Sequence, residues 1–259
     1  MATLARRRTV EPDPAPAGSA ARRGPSFSAL AAPGGRAAVP PGHRARLDPD
    51  FGEERILWAR GYRHVAGVDE VGRGCLAGPV VAGAVILPRD WLPDGLRDSK
   101  ILKAEEREHL AREIRAHALG WSLAFVEAPI IDRINILQAT LLASQLAASR
   151  LPVRPNALLL DGTLVFPDVR LHQRVLVDAD RLCASVAAAS VIAKVARDGL
   201  MARLDEEFPG YGFASNKGYA APEHRAALLE LGLSPVHRRT FASCAEVDQL
   251  ALWEDGSAG

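Results

Sequence analysis

The chain has 259 residues, a hydrophobic content of 48%, mean hydropathy near zero and a net charge of +1. This suits one medium soluble domain with a sizeable core. No apolar run approaches the roughly 18 residues of a membrane span, and no apolar signal-peptide core follows Arg6-Arg7-Arg8, so a cytoplasmic protein without a membrane partner is expected. Cys75, Cys183 and Cys244 are odd in number and lack Cys-x-x-Cys spacing, which argues against a disulfide framework or a zinc site.

The charge is unevenly placed. Residues 1–47 carry eight arginines against Glu11 and Asp13, a balance of +6, leaving −5 on residues 48–259. The first segment is rich in Ala, Pro, Gly, Ser and Arg without periodicity and is expected to be disordered, serving either as a basic arm on nucleic acid or as an inert extension.

From residue 48 the pattern turns globular. A short helix is expected over 48–62, then strands over 64–69 and 79–87 separated by a glycine-rich turn. The second strand is almost wholly apolar, as a strand covered on both faces should be. A helix over 104–119, a strand over 121–126 and a helix over 136–149 follow. Short strands at 157–160 and 174–177 precede a long Ala-rich helix at 183–208 and a helix at 222–231 bounded by Pro222 and Gly232. Alternating strands and helices give an α/β domain with a mixed sheet, followed by a helical C-terminal part. The expected division is an extension at 1–47, a globular α/β domain with C-terminal helices at 48–241 and a C-terminal tail at 242–259.

The chemistry concentrates in Gly67-Val68-Asp69-Glu70-Val71-Gly72-Arg73-Gly74. Two carboxylates close an apolar run, and glycines then let backbone approach a ligand. Asp161 and Asp180 fall at or just past later strand ends, where open α/β sheets form their ligand crevice. Four carboxylates without a His/Cys cluster favour Mg²⁺ or Mn²⁺. Adjacent strand residues point to opposite faces, so Asp69 and Glu70 share a site only if the strand ends or bends there, or if one contributes a backbone carbonyl.

These blocks, with Ala187 to Asp198, Tyr211 to Tyr219 and His237-Arg238-Arg239-Thr240-Phe241, resemble the ribonuclease HII family from about residue 60 to 241. The resemblance implies a ribonuclease H-like fold and an endonuclease that cleaves the RNA strand of RNA/DNA hybrids. It would also nick 5′ of single ribonucleotides in duplex DNA. It implies two Mg²⁺ or Mn²⁺ ions held by Asp69, Glu70, Asp161 and Asp180, with Asp69 bridging. Gly72, Arg73, Gly74 and Tyr219 match the family's ribonucleotide-reading turn and tyrosine. Lys100, Lys194, Ser190 and Lys217 are candidate substrate contacts, as are Arg238 and Arg239, while Tyr211 is expected to pack in the core. Three positions depart from the family pattern: Ile101 and Asp178 replace usual lysines, and Asn216 replaces a usual histidine. A non-enzymatic alternative, a metal-free hybrid-binding module, is disfavoured because all four carboxylates are present.

Gln249-Leu250-Ala251-Leu252-Trp253 resembles the short peptide that docks on the bacterial sliding clamp, the alternative being that these apolar residues pack on their own domain. A monomer is expected.

Overall fold

The computed structural model describes residues 48–256, with side chains through residue 249. The expectations placed on residues 1–47 lie outside the described residues, as do the side chains of Leu250, Leu252 and Trp253.

Five strands form one mixed sheet: β1 (Val65–Val71), β2 (Val80–Ile86), β3 (Gly120–Val126), β4 (Ala157–Asp161) and β5 (His172–Leu176). Their order is β3-β2-β1-β4-β5. β1 to β3 pair antiparallel, whereas β4 joins β1 and β5 joins β4 in parallel. The helices are α1 (Gly52–Ala59), α2 (Ala104–His117), α3 (Ala128–Ser149), α4 (Ala184–Glu207), α5 (Phe213–Asn216), α6 (Pro222–Leu231) and α7 (Ala242–Gly256). Among the described residues no helix is long and apolar enough to cross a membrane.

Strand alternation sends Ala66, Val68, Ala82, Ala84, Leu158 and Leu160 to the face covered by α3, where Ile131, Ala139, Ala143 and Ala147 meet them. Val85 and Leu87 on the other face pack with Ala187, Ala188 and Val191 of α4. The Ala-rich character of α4 has a steric cause. A Cβ at Gly67 would lie 2.1 Å from the Ser185 carbonyl carbon, and one at Gly83 would lie 2.5 Å from the Ala189 oxygen. Sheet and helix thus approach backbone to backbone, which only Gly on the strands and small residues on the helix permit.

α3 begins at Ala128, eight residues before the predicted start, because two helical pieces meet at Asn135, whose backbone leaves the helical region at φ 66°. The side chain of Asn135 accepts the Gln138 N–H at 3.1 Å and so restarts the helix. The segment expected as a tail is largely the helix α7, with Cys244 buried against Leu76, Phe213 and Leu228. All three cysteines are buried free thiols.

Candidate active site

The parallel register Val68↔Leu160 places Asp69 and Asp161, each one residue further on, at adjoining positions near the C-terminal ends of β1 and β4. Asp161 Oδ1 accepts the Ala179 N–H at 2.7 Å. That bond ties the β4 end to the short 3-10 turn Ala179–Arg181, which carries the buried Asp180.

β1 neither ends nor bends at the Asp-Glu pair. It stays paired with β2 through Val71, so Asp69 and Glu70 do point to opposite faces. Asp69 lies on the α4 side, where the Ser190 hydroxyl stabilises its carboxylate. Glu70 lines a cavity of about 310 Å³ on the α3 side with Thr140, Ser144 and Asp161. The two side chains flank the rim of the sheet rather than share a face. The Glu70 N–H donates to Asp69 Oδ1 at 2.8 Å and fixes that carboxylate.

The four acids repel one another. Burial raises the Asp69 pKa well above the ordinary range, and the charges of Glu70, Asp161 and Asp180 raise it further. Burial lifts Asp161 to about 6, with Asp180 and Glu70 adding to the shift and the Ala179 N–H opposing it. Burial also raises Glu70, partly offset by Arg73, whose guanidinium lies 3.4 Å away. Lys100 Nζ stands 2.9 Å from Asp180 Oδ2. Burial disfavours the Lys100 ammonium, but its bond to Asp180 outweighs that and the pKa stands raised.

Among the described residues no group of three or more His, Cys, Asp or Glu is drawn close enough to form a metal shell as it stands. The donor set nevertheless suits hard divalent cations. It is all oxygen, it gathers at one rim, and its mutual repulsion is what a cation would relieve.

The glycine turn is built from below. Gly72 has φ +90°, and a Cβ there would meet Arg197 Nε at 2.2 Å. Arg238, fully buried, donates to the carbonyls of Gly72 at 2.7 Å, Arg73 at 2.8 Å and Gly78 at 2.9 Å. Arg197, also fully buried, donates to Pro79 at 2.9 Å, Ala77 at 3.1 Å and Lys217 at 2.8 Å. Arg238 is therefore not a phosphate contact, because its fork is consumed by the turn. Arg239 is half exposed and pairs with Asp248 at 2.6 Å.

Tyr219 is brought to this turn. The Gly218 carbonyl accepts the Leu76 N–H at 2.7 Å, and the half-exposed Tyr219 hydroxyl lies beside Cys75, one residue past Gly74. Gly74 and the Arg73 side chain face solvent. Tyr211 is buried, stacks on Phe213 and donates to the Gly232 carbonyl at 3.1 Å, as a core residue should.

Ser190 bonds Ser99 at 2.9 Å, which links the Asp98-Ser99-Lys100 loop to Asp69. Lys194 is held by Asp198 at 2.6 Å, and Lys217 has a left-handed backbone, φ 54°. Asn216 braces its loop by donating to the Tyr211 carbonyl and accepting the Gly218 N–H, each at 2.7 Å. Asp178 takes a left-handed conformation, φ 57°, that Asp tolerates better than most residues. Ile101 is exposed. Sequence reasoning missed the role of Arg197, whose only signal is a charge on the strand-facing side of an Ala-rich helix.

The family model described as Ribonuclease HII matches residues 66–244. The Ribonuclease HII of Desulfitobacterium hafniense strain Y51 is 50% identical over 197 residues, covering 76% of this chain and 75% of that one. The ribonuclease H2 structure from Pyrococcus horikoshii OT3 is 27% identical with a TM-score of 0.64, covering 72% of this chain and 98% of that one. A PCNA:RNase HII complex from Archaeoglobus fulgidus contains a chain 29% identical with a TM-score of 0.59, covering 69% of this chain and 95% of that one. Among the similar chains, then, fold and sequence agree: this protein belongs to the ribonuclease HII family, hydrolases that cleave the RNA strand of RNA/DNA hybrids.

Proposed function

We propose that this ribonuclease nicks the phosphodiester on the 5′ side of a ribonucleotide, including a single one embedded in duplex DNA, and leaves a 5′-phosphate and a 3′-hydroxyl. The observation that carries the reading is the junction of three parts at one rim: the acids Asp69 and Glu70, the turn Gly72-Arg73-Gly74, and Tyr219 beside Cys75.

The 2′-hydroxyl, both donor and acceptor, distinguishes ribose from deoxyribose. With the carbonyls of Gly72 and Arg73 committed to Arg238, the turn would address that hydroxyl through its amide N–H groups. Gly74 has open space around its Cβ position, so a sugar can approach. The Tyr219 ring would stack on the next sugar and disfavour a second 2′-hydroxyl there.

Asp69, Glu70, Asp161 and Asp180 would hold two divalent ions, Mg²⁺ or Mn²⁺. Such a pair, when bound, supplies an activated water and stabilises the leaving 3′-oxygen. The chain's own residues orient the substrate. Lys100, whose side chain is 72% exposed, can turn from Asp180 to a phosphate, and Lys217 stands near the same rim. Ser190 holds the Asp69 carboxylate, and Lys194 with Asp198 steadies α4 beside it.

A sliding clamp is a further partner in this reading, by analogy with the archaeal relative bound to PCNA. Gln249, Leu250, Leu252 and Trp253 lie in the last turns of α7, so clamp binding through them would reshape that helix end or engage it as a helix. Calorimetric titration of a peptide spanning residues 245–259 into the cognate clamp tests this, and no heat at micromolar clamp rejects it.

The nicking activity itself is tested with a DNA duplex carrying one ribonucleotide, incubated with Mg²⁺ or Mn²⁺ and resolved on a sequencing gel. The reading requires a single product ending 5′ of the ribonucleotide. Cleavage confined to long hybrids rejects it.

A further inference from the structure

Beneath Tyr219 lie two histidines that the site described so far does not use. His224 is fully buried and His237 nearly so. Their Nε2 atoms are 3.0 Å apart. His224 Nδ1 lies 2.7 Å from the Tyr219 carbonyl oxygen, and His237 Nδ1 lies 2.9 Å from the Ser234 backbone nitrogen.

These contacts fix every proton. The Ser234 N–H can only donate, so His237 Nδ1 is an acceptor and its proton sits on Nε2. That Nε2–H must donate to His224 Nε2, which puts the proton of His224 on Nδ1, where the Tyr219 carbonyl accepts it. Reversing any one bond would leave two donors or two acceptors facing each other. The pair is also packed around by rings: Phe213 meets His224 edge-on at 5.3 Å, and Tyr211 lies 4.8 Å from His237. Burial disfavours the charged form of both, and His237 is lowered to about 4. The chain Ser234, His237, His224, Tyr219 is thus neutral and runs in one direction.

We infer that His224 and His237 are positioning residues for Tyr219: a tautomer-locked hydrogen-bond relay that sets the backbone of the tyrosine and so the approach of its ring to the Gly72-Arg73-Gly74 turn. The inference deepens the proposed junction reading and rests on it. Tyr219 needs such a support because its ring is half exposed, while its backbone leaves a tight loop at Lys217, φ 54°, and Gly218, φ +81°. The Tyr219 carbonyl also accepts the Ala221 N–H at 2.8 Å, so the relay completes its two acceptor sites.

The test has two arms. Long-range ¹H–¹⁵N spectra of the full chain at pH 7 should show His224 as the Nδ1–H tautomer, uncommon for a free imidazole, and His237 as the Nε2–H tautomer, both neutral. In the second arm, the ratio of kcat/KM on a single-ribonucleotide duplex to that on an all-RNA/DNA hybrid is measured for Tyr219→Ala, His224→Phe and His224→Asn. His224→Phe keeps the ring packing and loses the donor, so the ratio should fall about fivefold, the effect of one hydrogen bond. His224→Asn restores a donor at the Nδ1 position and should recover most of the ratio. A charged or oppositely protonated histidine overturns the relay, and so does a folded His224→Phe with the wild-type ratio. If Tyr219→Ala itself leaves the ratio unchanged, the junction reading falls, and the spectra still report whether the relay exists.

Discussion

Arg238 donates to the Gly72 carbonyl at 2.7 Å across 166 positions of sequence, so the Gly72-Arg73-Gly74 turn is held by a guanidinium with no solvent exposure. Burial lowers its pKa to about 10, which still leaves it charged at neutral pH. Its fork satisfies carbonyls that the left-handed turn turns away from the sheet ladder.

Arg238→Met should therefore cost roughly 2–4 kcal/mol, because several buried carbonyls lose their donor. Urea denaturation measures it. Arg238→Lys should recover little, since a point ammonium cannot bridge carbonyls on both sides of the turn. A midpoint within experimental error of wild type for either variant would reject the bracing role.

The approach of α4 to β1 predicts a second loss. Gly67→Ala places a methyl 2.1 Å from the Ser185 carbonyl carbon and 2.2 Å from the Val186 nitrogen. Backbone cannot step aside as a flexible side chain can, so roughly 3 kcal/mol of stability should be lost. The same substitution at Gly74, where nothing lies within 4 Å, should leave stability nearly unchanged. Equal effects at the two glycines would contradict the close packing.

The strands of the sheet were legible because their signals are local. Apolar runs marked β1, β2 and β4, and Asp69 and Asp161 stand where those runs close. The bracing was not legible. Arg197 reads as one more charge in Lys194-Val195-Ala196-Arg197-Asp198, and only the fold carries Ala77, Pro79 and Lys217 to it. His224 and His237 likewise sit 13 positions apart with no shared motif. Acidic and small residues at the chain's end suggested a tail, yet Cys244 in the first turn of α7 packs into a buried cluster.

Stability should carry a pH signature from Glu54. Burial raises this carboxyl from 4.5 to about 7, although it accepts the Ser185 N–H at 2.9 Å and the Ser185 hydroxyl at 2.7 Å. An acid with a raised folded pKa binds its proton more tightly when folded. Its stabilising contribution is complete below about pH 4.5 and is lost as pH rises towards 7. Glu54→Gln keeps an acceptor for Ser185 and cannot ionise. Its Tm relative to wild type should thus rise between pH 5 and pH 8. A difference that is flat or falls across that window contradicts the assignment.

Tyr219→Ala should reduce cleavage at an isolated ribonucleotide more than cleavage within an all-RNA/DNA hybrid, since only the former always presents a deoxyribose on the far side of the ribonucleotide. Single-turnover rates on both substrates decide it. Equal losses would assign Tyr219 to general substrate packing.

The acids at the rim of β1, β4 and the following turn form the proposed catalytic centre. Asp69 accepts the Glu70 N–H at 2.8 Å and is stabilised by Ser190. The decisive measurement is the cleavage rate of Asp69→Asn on a duplex with one ribonucleotide, at saturating Mg²⁺ and again at saturating Mn²⁺, alongside duplex affinity without cleavage. The predicted result is no detectable product, with affinity within a few-fold of wild type. Turnover within tenfold of wild type in either metal would contradict the claim.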